Sequence, residues 1–226
     1  MARLVILPGT DGTGALLNEF VSALGDLPST VVVYPKDRAL TYEQLVEFVL
    51  PQLPTSELYF LLGESFGGPL AISLAHAHRG VLAGVVLCAS FARYPAALPR
   101  VLASLASFAP MRIAPLSLIS WFLLGKWSTP ALQASLAHTL ASVSPAVLRA
   151  RLLAALRVDV SSYLPKLKVP LLYLQASHDR IVPESAGNAI ASAAPHASLQ
   201  QVVGPHFLLQ VAPVPCAQAV RRFAGF

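Results

Sequence analysis

The chain has 226 residues and a formal net charge of +5, with 55% apolar and 12% charged residues. This length suffices for one well-buried α/β domain with an insertion and excludes two independent cores. No apolar stretch is long enough to cross a bilayer, because the best candidate, 101–125, is interrupted by prolines and an arginine. We therefore expect no stable membrane insertion. The run Leu4-Val5-Ile6-Leu7 is also too short for the apolar region of a signal peptide.

The positive charge is spread singly through apolar sequence. Between Ser65 and Val158 there is no Asp or Glu, and the basic residues there are Arg79, Arg93, Arg100, Arg112, Lys126, Arg149, Arg151 and Arg157. They lack the dense basic stripe of nucleic-acid-binding proteins, so we expect no nucleic acid partner. The simplest interpretation is that they solvate the outer faces of apolar helices. The alternative is a docking surface for an acidic acyl carrier protein, an anionic substrate or a lipid headgroup.

The two cysteines, Cys88 and Cys216, are interpreted as buried thiols rather than a disulfide framework. Free thiols are typical of reducing compartments. The sequence therefore predicts a cytoplasmic location.

Strands and helices alternate in chain order. Apolar runs predict strands at 3–7, 30–34, 58–62, 82–88, 171–175 and 199–203. Amphipathic segments predict helices at 16–24, 41–49, 68–76, 185–194 and 215–223, with a capping box from Thr41 to Gln44. This alternation predicts a parallel sheet with helices on both faces, whose ligands bind at the carboxyl ends of the strands.

The segment 91–159 interrupts the alternation. It is rich in Pro, Ala, Leu and Ser, has no strand signal, and is predicted to be helical with proline breaks. We therefore divide the chain into a core formed by 1–90 and 160–226 and a helical insertion formed by 91–159.

Gly63-Glu64-Ser65-Phe66-Gly67 has the pattern G-x-S-x-G between a predicted buried strand and a predicted helix. This context is typical of the nucleophile elbow of a serine hydrolase. Side chains at the two glycines would collide with the neighbouring strand and helix, and the turn strains the serine backbone. We predict that Ser65 is the nucleophile.

A serine nucleophile needs a base, and the base needs an acid. The carboxylates after Ser65 are Asp159, Asp179 and Glu184, and only Asp179 directly follows a core strand. Of the six histidines, His206 lies on the loop after the next strand. We predict Asp179 as the acid and His206 as the base, in the chain order Ser, Asp, His.

Two backbone N–H groups should bind the oxyanion, those of Phe66 and of Thr10 in the loop Pro8-Gly9-Thr10-Asp11-Gly12-Thr13-Gly14. The glycines of this loop do not match the spacing of a phosphate-binding loop, because Leu17 stands where the third glycine is required.

Four ordered motifs, P-G-T-D-G-T-G, G-E-S-F-G, S-H-D-R-I-V-P and G-P-H-F-L-L-Q, resemble those of the α/β-hydrolase superfamily over nearly the whole chain. They resemble in particular small carboxylesterases and pimeloyl-carrier methyl ester esterases. The resemblance implies a mostly parallel sheet of about six strands, because the chain starts at the family's third strand and the first hairpin is missing. It also implies that 91–159 is a cap over the active site.

We therefore predict a serine carboxylesterase that hydrolyses short- to medium-chain esters and requires no metal or organic cofactor. Cap residues Trp121, Phe122, Leu124 and Trp127 are expected to line an apolar acyl pocket, although ordinary cap packing explains each equally well. The alternatives are a thioesterase or methyl-esterase for carrier-bound acyl groups, an acyltransferase that excludes water, and a ligand receptor on a hydrolase scaffold.

Overall fold

The computed structural model describes residues 2–77, 80–94 and 115–226. Six strands form one sheet in the order β2-β1-β3-β4-β5-β6, and every neighbouring pair is parallel. The strands are β1 (Arg3–Leu7), β2 (Ser29–Val31), β3 (Tyr59–Glu64), β4 (Leu82–Cys88), β5 (Leu171–Ala176) and β6 (Ala197–Val202). The predicted parallel sheet of about six strands is confirmed.

Helices cover both faces of this sheet. They are α1 (Asn18–Ala23), α2 (Tyr42–Val49), α3 (Gly67–Ala77), α4 (Leu116–Leu123), α5 (Pro130–Ala141), α6 (Pro145–Arg157), α7 (Glu184–Ala193), α8 (Leu208–Val211) and α9 (Pro213–Ala224). Short 3₁₀ helices lie at Ala15–Leu17, Leu50–Gln52, Gly125–Trp127 and Ser161–Lys166. The capping box at Thr41 and Gln44 is present as predicted.

The core has two parts because successive side chains of a strand point to opposite faces of the sheet. Val5 and Leu7 of β1 pack on one face with α2, α3 and α7. Leu4 and Ile6 pack on the other face with α1, α8 and α9. Strands β3 and β5 are buried along their whole length, so their runs are apolar rather than alternating. Apolar side chains therefore fill the space between the sheet and the helices on both faces. A site with polar residues is expected at the ends of the strands.

The second strand is shorter than predicted. The pattern indicated 30–34, whereas β2 ends at Val31. Tyr34 leaves the sheet, because its N–H donates to Gly12 O at 2.8 Å in the loop after β1. A local pattern cannot reveal this bond between distant segments.

The described part of the insertion, α4 to α6, is helical as predicted and leaves the core between β4 and β5. Its two ends come together, since Arg93 pairs with Asp159 in an antiparallel bridge and Val160 N donates to Ala92 O at 2.9 Å. The boundaries 91 and 159 remain a prediction, and Arg100 and Arg112 lie outside the described residues.

In the described ranges, no single helix has the length and hydropathy to cross a membrane; only α5 and α6 reach them jointly, with a 100° bend between them. Cys88 and Cys216 are free and buried, as predicted.

Candidate active site

Ser65 lies in the tight turn between β3 and α3. Its φ is +48°, in the left-handed region that a non-glycine residue rarely adopts. The glycines on either side permit this turn. A Cβ on Gly63 would lie 2.5 Å from Gly67 O, and a Cβ on Gly67 would lie 2.2 Å from Leu7 O. The predicted strand–turn–helix context and the predicted collisions are therefore present.

Hydrogen bonds from the neighbouring strand hold this strained turn. Ser65 N donates to Cys88 O at 2.9 Å. Ser90 Oγ donates to Ser65 O at 2.6 Å, and Tyr173 Oη donates to Ser90 O at 2.6 Å. Backbone strain persists where the surroundings over-determine the conformation. Ser90 and Tyr173 supply that support, and no local sequence signal indicated them.

The structure brings Ser65, His206 and Asp179 together from three separate loops. His206 Nε2 lies 2.9 Å from Ser65 Oγ. His206 Nδ1 lies 2.8 Å and 3.0 Å from the two carboxylate oxygens of Asp179. Asp179 Oδ1 also accepts hydrogen bonds from the N–H groups of Ile181 and Val182, both at 2.8 Å. The three side chains form a continuous chain of hydrogen bonds.

His206 is only 3% exposed, and its environment favours the charged imidazolium. Burial by itself lowers the pKa of His206, but the charge and the hydrogen bond of Asp179, together with the Glu64 carboxylate, outweigh it and raise the pKa above its usual 6.5. A base with a raised pKa binds a proton more firmly. The arrangement can therefore accept the proton of Ser65.

Glu64 is a second buried acid beside the nucleophile, and the sequence reasoning gave it no role. It is 5% exposed, and its Oε1 accepts a hydrogen bond from Gln210 Nε2 at 2.8 Å. Burial, helped by the charge of Asp11, raises the pKa of Glu64 to about 7 despite the Gln210 bond. The signal was a charged residue at the end of an otherwise apolar strand.

The loop after β1 lies beside Ser65. A Cβ on Gly9 would come within 4.0 Å of Ser65 Cβ. A turn bond from Gly12 N to Gly9 O, 3.0 Å long, sets the path of the loop. Within the described part of the chain, no residue accepts a hydrogen bond from the N–H of Thr10 or Phe66. Both groups are thus available, and their use as an oxyanion hole stays a prediction.

The cap segment around α4 docks on the loops that carry Asp179 and His206. Phe207 N donates to Leu123 O at 3.0 Å. Arg180 Nη1 donates to Trp121 O at 2.7 Å, and its guanidinium lies 4.1 Å from the Trp121 ring centroid. The cap is thereby attached directly to the loops of the site.

The four predicted pocket residues are in different surroundings. Trp121 is 52% exposed and contacts Phe122 edge to face, whereas Leu124 is fully buried. Trp127 packs against His178 and Lys126. Their role as an acyl pocket remains a prediction.

The rival acids and bases lie elsewhere. Asp159 is exposed and accepts from Ser161, and Glu184 begins α7 and accepts from Gln201. The exposed His178 is paired with Ser177, and His76 stacks on Tyr163. Across the described ranges, no three His, Cys, Asp or Glu side chains are grouped closely enough to hold a metal ion.

Comparisons with known proteins agree with this architecture. The family model described as "Serine aminopeptidase, S33" (Hydrolase_4) matches residues 41–208, more than half of the chain. No curated protein sequence matches the chain at a significant level.

Solved structures superimpose over nearly the whole chain. A lipase-esterase related protein from Clostridium acetobutylicum has a TM-score of 0.84 at 17% identity, covering 98% of this chain and 94% of that one. An esterase from Exiguobacterium antarcticum has a TM-score of 0.84 at 14% identity, covering 100% and 92%. The enol-lactonase from Burkholderia xenovorans has a TM-score of 0.83 at 20% identity, also covering 100% and 92%. At these identities the likeness shows the fold alone. Together with the family match, it confirms the resemblance seen in the sequence: the chain belongs to the Serine aminopeptidase, S33 family, within the α/β-hydrolase superfamily.

Proposed function

We propose that the protein is a serine carboxylesterase that hydrolyses short- to medium-chain carboxylic esters through an acyl-enzyme on Ser65. One observation carries the proposal. The chain from Ser65 Oγ to His206 Nε2, and from His206 Nδ1 to Asp179, has the distances that general-base activation of a serine needs. Structural neighbours that are named as esterases or as an enol-lactonase support ester chemistry.

In the first half-reaction, Ser65 Oγ attacks the ester carbonyl while its proton passes to His206 Nε2. The N–H groups of Thr10 and Phe66 stabilise the oxyanion, and the Asp179 carboxylate stabilises the imidazolium. His206 then gives the proton to the leaving alkoxide, so the alcohol departs and the acyl group remains on Ser65.

In the second half-reaction, water replaces the alcohol. His206 removes a proton from water, the resulting hydroxide attacks the acyl carbonyl, and the proton returns to Ser65 Oγ as the acid is released. One ester and one water give one acid and one alcohol. The proposed chemistry uses no metal or organic cofactor.

The substrate preference follows from the cap. Its described segment beside His206 carries apolar side chains, with Phe122 and Leu123 partly buried. An unpaired charge buried there would be costly, so uncharged acyl chains fit best. We propose Trp121, Phe122 and Trp127 as the acyl-contacting group; Leu124, predicted with them, is fully buried and has no surface open to a substrate in this structure. We also propose a cytoplasmic location.

No specific observation favours a carrier-bound substrate. Three basic cap residues, Arg100, Arg112 and Lys126, are the ones that we expect such a carrier to contact, and Lys126 lies over the Trp127 ring, at 4.7 Å from its centroid. The other two, Arg100 and Arg112, lie outside the described residues. The family is named for a serine aminopeptidase, so peptide bonds are a rival substrate class. Cleavage of aminoacyl 4-nitroanilides is therefore compared with that of esters.

The test is turnover of 4-nitrophenyl esters from acetate to decanoate by the wild type and by Ser65→Ala. We expect a chain-length optimum and a loss of roughly 10⁴- to 10⁶-fold in kcat for Ser65→Ala. Ser73→Ala is the matched control, because its hydroxyl lies on α3 and donates to Pro69 O at 2.9 Å.

Three outcomes contradict the proposal. If the wild type turns over esters no faster than Ser65→Ala, Ser65 is not the nucleophile of an esterase, and a ligand receptor is favoured. Faster cleavage of aminoacyl 4-nitroanilides than of esters favours an aminopeptidase. Transfer of the acyl group to added alcohols in preference to water favours an acyltransferase.

A further inference from the structure

Arg151 is a buried cation in an unexpected place. The sequence pattern indicated a charge on the outer face of an apolar helix, but Arg151 is 2% exposed. On α6 it lies on the buried face with Val147 and Leu148. Arg151 is buried because residues 147, 148 and 151 share one side of the helix, and that side faces the protein interior. The same spacing is the signal that could have revealed it.

The Arg151 guanidinium binds backbone carbonyls of the core. Its Nη1 donates to Thr10 O at 2.9 Å and to Asp11 O at 2.6 Å, and its Nη2 donates to Pro35 O at 2.8 Å. Within the described ranges, none of the ion pairs includes Arg151. Burying a charge without a carboxylate partner is costly, so the carbonyls must supply the compensation.

Tyr34 and Gly12 complete the contact. The guanidinium lies 5.4 Å from the Tyr34 ring centroid. Tyr34 N donates to Gly12 O at 2.8 Å, and Tyr34 Oη donates to Pro8 O at 3.3 Å. Gly12 has a φ of +66°, and a Cβ there would lie 2.5 Å from Arg151 Nη1. Gly12 is thus needed both for its backbone conformation and for the space that Arg151 fills.

These contacts fix the direction of the Thr10 N–H. In a trans peptide, the carbonyl and the following N–H point in opposite directions. Gly9 O accepts from Gly12 N inside the turn, so the Thr10 N–H points out of it. Arg151 holds the next two carbonyls, those of Thr10 and Asp11, and so prevents this turn from rotating. The loop that they hold is the one whose Gly9 approaches Ser65.

We propose that Arg151 is a positioning residue, which reaches from the cap to the loop after β1 and holds the Thr10 N–H in the orientation that binds the oxyanion. The inference rests on the proposed ester hydrolysis. It makes the cap part of the catalytic apparatus rather than only a cover for the substrate.

The test uses Arg151→Met, which keeps the apolar stem without the donors, and Arg151→Lys, which keeps the charge but cannot bridge three carbonyls. Arg149→Met is the matched control, because Arg149 lies on the same helix and is exposed. For 4-nitrophenyl butyrate we expect kcat to fall about 10- to 100-fold in Arg151→Met, less than the loss of a whole oxyanion donor. We expect KM to change less than about threefold, and Arg151→Lys to lie between.

A trifluoromethyl ketone, which forms an oxyanion adduct with serine, gives a second readout. We expect its affinity to fall in parallel with kcat in the Arg151 variants and to stay unchanged in Arg149→Met. An increase in KM at constant kcat, or equal kcat in folded Arg151→Met and wild type, would overturn the inference. If Arg151→Met does not fold, the same criteria apply to Arg151→Lys.

Amide hydrogen exchange separates this inference from the proposed function. In a Ser65→Ala background, adding Arg151→Met should speed exchange at Gly12 and Tyr34, whose N–H groups donate within the loop contact. Unchanged exchange there overturns the positioning role, whatever the activity. Faster exchange in a protein whose wild type hydrolyses no ester supports the loop contact and rejects only the proposed reaction.

Discussion

Asp179→Asn tests the catalytic geometry most directly, because two backbone groups decide how the new amide must lie. Asp179 Oδ1 accepts from Ile181 N and Val182 N, both at 2.8 Å. In asparagine only the oxygen can accept these bonds, so the oxygen stays there and the NH₂ group turns toward His206 Nδ1. His206 Nδ1 must then accept a hydrogen bond from this NH₂ group. The ring proton is therefore on Nε2, the nitrogen that faces Ser65. That tautomer cannot take the serine proton.

The magnitude follows from the same contacts. The variant loses the general base and also the carboxylate that stabilises the imidazolium, at 2.8 Å from Nδ1. Losses of this kind reach about 10⁴-fold in kcat, on the order of 5 kcal/mol of transition-state stabilisation. Folding should be little affected, because the two backbone bonds remain.

The assay is kcat and KM for 4-nitrophenyl butyrate at pH 8, with thermal unfolding as the check on folding. Asp159→Asn is the matched control, because its carboxylate is exposed and accepts from Ser161 rather than from a histidine. A loss below about tenfold in well-folded Asp179→Asn would refute the tautomer argument.

Three further predictions follow from the site. The pKa of His206 is raised above 6.5, so kcat/KM should fall as pH decreases through a value above 6.5; a midpoint below 6 in a pH–rate profile contradicts this. Burial raises the pKa of Glu64 from 4.5 to about 7, so the native state keeps a proton that the unfolded state has lost, and wild-type stability falls as pH rises through this window. The unfolding free energy of Glu64→Gln relative to wild type should therefore increase by about 3 kcal/mol from pH 4 to pH 8, as measured by urea titration. A difference that does not change with pH would contradict the raised pKa of Glu64. Gly67→Ala places a Cβ 2.2 Å from Leu7 O, so we expect a loss of more than about 3 kcal/mol in unfolding free energy, and a stable variant contradicts the close approach.

Local sequence patterns were sufficient to predict most strands and helices and to place three polar residues at the ends of strands. Ser65, Asp179 and His206 each follow a strand, and parallel strands end at one edge of the sheet. The order of strands and turns in the sequence is therefore enough to predict that these three residues lie close together. The predicted end of β2 was wrong, because the backbone N–H of Tyr34 donates a hydrogen bond to the loop after β1, which is distant in the sequence.

The sequence by itself determined the parallel sheet and the strained serine turn, and it predicted an acid and a base for that serine, since these depend on periodicity, glycine positions and chain order. Only the tertiary structure decided which charges are buried. Arg151 and Glu64 are polar residues in apolar segments, and local composition does not tell whether a distant carbonyl or amide will meet them. Arg151 lies 141 and 140 positions from its partners Thr10 and Asp11, and Glu64 lies 146 positions from its partner Gln210. Only folding brings these residues into contact. A buried charge is tolerated only where such long-range contacts form, so its role becomes visible only in the folded chain.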